Sequence, residues 1–236
     1  MTKYIKKKKN KNQTINIQKE YNFHQAINIL RKNQNKKFIE SVDIAINLNI
    51  DAKQSSQNIK GITILPHGIG KKMKIAVLTQ GDNIQKAIKY GAYIAGGEEI
   101  INQLKDKKNN FNTIIASPDM MNLITKLGPI LGPRGLLPNP KTGTVTNNIK
   151  ETVKNFYQGH VRYKNEKNGI IHTTIGKINF SNEQLQKNLI AIIIDLNKLK
   201  PKNIKGDLIK KITLSTTMGV GIKTEINSIY ENTKFI

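Results

Sequence analysis

The sequence predicts an α+β protein of two domains, in which a split α+β domain is interrupted by an inserted α/β domain. Three observations carry this. Residues 41–51, SVDIAINLNID, alternate apolar and polar side chains without a break, the mark of a strand with one buried face. From about residue 66 to 158, short apolar runs alternate with helical segments, as parallel βαβ units require. Past residue 159 long strands and one long helix return. Residues 1–66 with 159–236 therefore form one domain and 67–158 the other.

Taken in order, NFHQAINIL places Phe23, Ala26, Ile27 and Leu30 on one helical face. The strand of SVDIAINLNID turns Val42, Ile44, Ile46, Leu48 and Ile50 to one side. In the middle, MKIAVLT (73–79) and FNTIIAS (111–117) read as buried strands, with helices in DNIQKAIKYGA, EEIINQLKDK and PDMMNLITKL, the last opened by Pro118. NNIKETVKNFYQ (147–158) is a further helix, so the middle resembles a small Rossmann-like layer. HVRYKNEKNGIIHTTIGKINF then reads as two adjoining strands joined by a polar turn at NEKNG. In SNEQLQKNLIAIIIDLNKLKP, Ser181 and Gln184 make a capping box and Pro201 stops the helix. DLIKKITLSTTMG supplies the last long strand.

Charge is the loudest signal: 39 Lys+Arg oppose 16 Asp+Glu, a net of +23. Such an excess repels itself in a compact state and points to a polyanionic partner, nucleic acid or an anionic membrane surface. LIAIIIDL (189–196) falls far short of a membrane span, and the basic start MTKYIKKKKNKN (1–12) lacks an apolar core, so it is a basic tail and not a secretory signal. The chain is expected to be soluble. Only Arg31, Arg134 and Arg162 are arginines; Lys, Asn and Ile abound, as in A/T-rich coding. An arginine in such a chain is a candidate for needing its planar fork. The absence of cysteine excludes disulfides and thiol chemistry, and His24, His67, His160 and His172 lack metal-ligand spacing. No metal and no cofactor are expected.

NGIIHTTIGK ends like a phosphate loop, but its glycine spacing is wrong and Ile178 stands where a hydroxyl must reach magnesium. HGIGKKM has no third glycine and precedes a strand. Enzymatic function is not expected. LGPILGPRGLLPNPKTG (127–143) holds four of the seven prolines around Arg134, a stiff path that reads either as a surface shaped for a polyanion or as a rigid corner between packed elements.

Three patches suit nucleic acid. Lys36 and Lys37 stand beside Phe38 and Ser41; Arg162, Lys164, Lys167, His172, Thr173 and Lys177 gather over the two adjoining strands; Thr217, Met218 and Gly219 close STTMG. Hydroxyls, cations and bare glycine backbone fit recognition of RNA by shape and sugar. Aromatics make up 6% of the chain, too few for single-strand stacking platforms, so structured RNA is the expected ligand.

KKFIESVDIAINLNIDAKQSSQNIKGITILPHGIGK, ASPDMM, LGPRGLLPNPKTGTVT, KNGIIHTTIGK and STTMG, in this order, resemble the bacterial form of the large-subunit ribosomal protein one family, the L-one stalk proteins. The likeness spans about residues 20 to 222, with Asn49 where the family has glycine. The resemblance implies a ferredoxin-like split domain that binds RNA and a three-layer, Rossmann-like insert. It also implies binding to a junction of large-subunit rRNA, a mobile stalk near the tRNA exit site, and help in releasing deacylated tRNA. Repression of the protein's own operon through its messenger RNA, and action as a monomer within the ribosome, come with it. The family's contacts carry over onto Lys37, Phe38, Ser41, His172, Thr217, Met218 and Gly219, with Lys36 and Thr173 as neighbours; Arg134 becomes a secondary contact to RNA or tRNA. The implied place is the cytoplasmic ribosome of an A/T-rich bacterium, or an organelle ribosome. The alternative is a general basic RNA-binding protein or chaperone with no ribosomal preference.

Overall fold

A computed structural model describes residues 19–230, apart from 36, 52–53, 55–56, 72, 102–110, 141–142, 202–203 and 205. The basic tail, Lys36 and most of the helix expected in EEIINQLKDK lie outside the described residues. The chain divides into two compact units, one running up to Gly70 and resuming at Val161, the other spanning Lys71–His160.

In the first unit, helix α1 (Phe23–Lys32) starts at Asn22, whose side chain accepts from the His24 N–H, and it buries Phe23, Ala26, Ile27 and Leu30. Strand β1 (Ser41–Leu48) buries Val42, Ile44, Ile46 and Leu48, and ends before Ile50. The long helix α6 (Asn182–Lys198) carries the Ser181–Gln184 capping box as the sequence requires. Strands β7 (Ile170–Lys177), β8 (Ile209–Thr216) and β9 (Ile222–Thr224) complete a four-stranded sheet of order β7-β1-β8-β9. Its pairings are antiparallel, and its alternate residues share one core with α1 and α6. Strand β9 and the closing helix α7 (Ile226–Tyr230) had no clear sequence signal. They are three and five residues long, too short to show a period.

The expected joining of HVRYK to IIHTTIGK holds at the polar turn, where Asn165 and Ile171 form an antiparallel bridge and the Glu166 N–H donates to the Ile170 carbonyl. Beyond the turn it is corrected by the structure: strand β6 (His160–Lys164) pairs with β2 (Lys60–Ile64) in a separate two-stranded ribbon. Asn165 explains the switch. It exchanges backbone and side-chain hydrogen bonds with Ile59, at 3.1 and 2.8 Å, and reaches Asn58, which commits β6 to the approach of β2. The turn at Gly169 (φ 71°) then sends β7 to β1.

The first unit also keeps the segment that leaves it. Asn188, fully buried on α6, accepts from the His67 N–H at 3.0 Å and donates to the carbonyls of Gly68 and Ile175 at 3.0 and 2.7 Å. Gly70 (φ 70°) packs so closely on Phe180 that an added Cβ would sit 3.0 Å from the ring.

In the second unit, β3 (Ile75–Leu78), β4 (Ile94–Gly96) and β5 (Thr113–Ala116) form a parallel sheet of order β4-β3-β5. Every residue of β3 and β5 is buried, because both faces are covered. Ala76 and Leu78 enter one apolar cluster, while Ile75 and Val77 enter another with α2 (Asn83–Lys89) and α5 (Ile149–Gly159). Helix α3 (Met121–Thr125) follows a 3-10 turn opened by Pro118. The Gly/Pro stretch contains an unexpected short helix α4 (Gly128–Leu131), in which Pro129 is tolerated because it falls in the first turn. Beyond it, Thr144 bonds Asn139 through its hydroxyl and returns the chain to β5, where the Ala116 N–H donates to the Thr144 carbonyl. Leu131 and Leu136 are buried beneath. The corner reading accounts for these inner residues.

Asn188 supplies a stability test. Asn188→Ala removes partners from the part-buried His67 N–H and Gly68 carbonyl and the buried Ile175 carbonyl, and is expected to cost roughly 1–3 kcal/mol of unfolding free energy. A urea midpoint that does not move would show that the segment at 67–68 is held by something else.

Candidate nucleic-acid interface

Strand β1 begins between the ends of two neighbours: Ser41 faces Lys177 of β7, and Val42 faces Thr216 of β8. Three sequence-distant groups therefore meet. The Ser41 N–H donates to Thr217 Oγ1 at 3.1 Å, and Lys177 Nζ donates to Ser41 Oγ at 2.9 Å. Each hydroxyl oxygen already accepts a bond, which leaves its own proton for an external acceptor such as a phosphate or ribose oxygen. Lys37 is exposed beside them, with Phe38 (47% exposed), Ile39 (58%) and Met218 (55%) forming an apolar rim.

Gly219 closes the turn by donating to the Thr216 carbonyl at 3.0 Å. A Cβ there would fall 2.2 Å from Thr216 Oγ1, so the position admits bare backbone alone, which a ligand can approach closely. Among the described residues, the buried Glu40 Oε2 and Thr216 Oγ1 have no hydrogen-bond partner.

The register extends this junction into a face. Residues of the four-stranded sheet that do not enter the core form cross-strand rows. Thr174, Asp43 and Ser215 make one, and His172, Ala45, Thr213 and Lys223 the next; Ile170, Asn47 and Lys211 follow. Thr174 Oγ1 donates to Asp43 Oδ1 at 2.5 Å. Apart from Asp43, the row residues are neutral or basic. Lys211, Thr213 and Lys223 were missed by sequence reasoning, and Ile39 and Ser215 lie within two of its patches without being singled out. Alternation along KKITLST places the three on β8 on one side, but their neighbours across strands depend on the register.

The remaining expected residues separate. Thr173 points to the covered side between Ile171 and Ile175, at 9% exposure, because successive residues of a strand face opposite ways; His172 faces out. Arg162 lies on β6 in the ribbon, and Lys167 is exposed in the turn that follows. The ribbon buries Thr63, Val161 and Tyr163. Lys60, Ile64 and Lys164 are exposed, and Gly61, Ile62 and Arg162 are half-buried. Burial holds the Arg162 guanidinium below its ordinary value. Arg134 belongs to the second unit, where Ile130 and Leu137 of the same stretch are exposed.

A hollow of about 290 Å³ adjoins the open face at Lys211 and is lined besides by Glu20, Lys210 and Thr224–Asn227. Among the described residues, no cluster of three or more His, Cys, Asp or Glu could hold a metal ion, and no helix is long and apolar enough to cross a membrane.

Known proteins resemble this chain over nearly its whole length. Residues 30–220 match the model of the ribosomal protein L1p/L10e family. The chain is 49% identical over 229 residues to the large ribosomal subunit protein uL1 of Vibrio campbellii (strain ATCC BAA-1116), covering 97% of this chain and 98% of that one. It is 48% identical over 229 residues to its counterpart in Pseudoalteromonas translucida (strain TAC 125), with the same coverage. The counterpart in Haemophilus influenzae (strain PittEE) is 49% identical over 97% of this chain and 100% of its own length. A chain with this family match, this identity and near-complete mutual coverage belongs to the ribosomal protein L1p/L10e family, in its bacterial form.

Proposed function

We propose that the chain is a structural constituent of the large ribosomal subunit, acting in translation on the cytoplasmic ribosome of a bacterium. It binds large-subunit rRNA through the open face and the Ser41–Lys177–Thr217 junction of its first unit. The observation that carries this is the junction itself: two hydroxyls with protons to donate, a lysine, a bare glycine backbone and an apolar rim. These are donors for phosphate and 2′-hydroxyl oxygens, with apolar surface for exposed sugar or base. Within this reading the protein forms the mobile stalk at the tRNA exit site as a monomer, assists release of deacylated tRNA, and represses its own messenger through a similar RNA fold.

The correction to β6 favours a second contact. Arg162 and Lys164 belong to the ribbon, where Lys60, Ile62 and Ile64 join them. A basic strand face with no acidic residue suits phosphate. We assign it to the exit-site tRNA, and leave Arg134 as a lesser contact of the second unit.

Competition between a large-subunit stalk RNA fragment and random duplex tests the main reading. Thr217→Val keeps the branched shape and removes the hydroxyl. It is expected to weaken the stalk fragment by about 1–3 kcal/mol, spare random duplex, and leave the salt slope unchanged. Lys223→Ala should weaken both RNAs and make the slope shallower. Equal affinity of the wild type for both RNAs would favour the general RNA-binding alternative.

The ribbon predicts a different split. Arg162→Ala is expected to lower affinity for deacylated tRNA about five- to tenfold, with stalk-fragment binding within about twofold of wild type. Loss of both in parallel would join Arg162 to the rRNA surface.

A further inference from the structure

Within the first unit the ribbon packs Val161 and Tyr163 into the common core, and it is also bonded to α6 through one carboxylate oxygen. Tyr163 of β6 donates its hydroxyl to Asp195 Oδ2 at 2.5 Å, and Thr63 of β2 donates to the same oxygen at 2.6 Å. Both hydroxyl residues are buried, Tyr163 at 4% and Thr63 at 6% exposure. Gly61 makes room: a Cβ there would fall 2.3 Å from the Tyr163 hydroxyl and 2.6 Å from Leu199. Burial, and then the bond to Asp195, push the Tyr163 phenol well above its ordinary value, so it remains a donor.

Local rules argue against an acid at this place. Asp195 falls near the C-terminal end of α6, among Ile192, Ile193 and Leu196, which are all fully buried. The helix dipole disfavours an anion in that turn, and an apolar residue would suit the packing better. Two hydroxyls from two strands on one oxygen account for it.

We propose that Asp195 is a positioning residue for the basic face of the ribbon. By gathering β2 and β6 onto α6 it fixes where Lys60, Arg162 and Lys164 present their charge. The proposal rests on reading that face as an RNA surface.

Full-length Asp195→Leu and Asp195→Asn separate the possibilities. Leucine fits the helix and accepts nothing, whereas asparagine keeps an oxygen able to take both hydroxyls. In Asp195→Leu, amides of 60–64 and 160–164 should exchange about tenfold faster, and those of 41–48 and 209–216 at the wild-type rate. Its affinity for deacylated tRNA should fall about as far as that of Arg162→Ala. Asp195→Asn should restore both, while ultraviolet titration shows Tyr163 ionising at lower pH than in wild type, because the charge has gone. Wild-type protection of the ribbon in Asp195→Leu overturns the proposal. So does a loosened ribbon with undiminished tRNA binding where Arg162→Ala has lost it. If Arg162→Ala also binds as wild type, the RNA reading of the ribbon has failed, and the proposal falls with it even where exchange finds the ribbon loosened.

Discussion

What the first unit presents to solvent depends on β1 lying between β7 and β8 with Val42, Ile44, Ile46 and Leu48 in the core. The side-chain period of a strand is two, so the same choice turns Ser41, Asp43, Ala45 and Asn47 outward. A slip of one residue would exchange the two sets and expose four branched side chains. The buried set thereby fixes the register, and the register joins Ser41 to Lys177 and brings Thr217 within reach. Packing energy and binding geometry are set by one alternation.

The charge follows the same division. A net of +23 would strain a compact chain unless an anion neutralised part of it. Lysines at 37, 177, 211 and 223 lie at or on the open face, and Lys60, Arg162 and Lys164 belong to the ribbon. Both surfaces are strands with one side packed and the other carrying cations among polar and scattered apolar side chains. Hydroxyls and bare backbone supply short-range selection, and lysines supply salt-sensitive attraction. Asp43 is held by Thr174 within the open face, where it disfavours phosphate and leaves room for a hydroxyl or amino donor.

Local patterns were legible and partnerships were not. The period of SVDIAINL, the capping box of α6 and the glycine of STTMG each act within a few residues, so they could be read directly. The choice of partner for β6 could not: Asn165 meets Ile59 across more than a hundred positions, and nothing in KNEKNG announces it. Thr173 was grouped with His172 by adjacency, although the strand period sends neighbours to opposite sides. Lys211, Thr213 and Ser215 gained meaning once β8 was known to lie beside β1. The place of Asp195 at the end of LIAIIIDL acquires a reason only from Tyr163 and Thr63, more than thirty and more than a hundred positions away.

The central claim is that rRNA lies on the open face of the first unit. Lysine acylation read by mass spectrometry tests it most directly, because lysines sample both units. The full chain is labelled with and without a large-subunit stalk RNA fragment. The account predicts protection at Lys37, Lys177, Lys211 and Lys223, with Lys74, Lys86 and Lys150 of the second unit labelled as in the free protein. Protection at those second-unit lysines, with the sheet lysines unchanged, would contradict it.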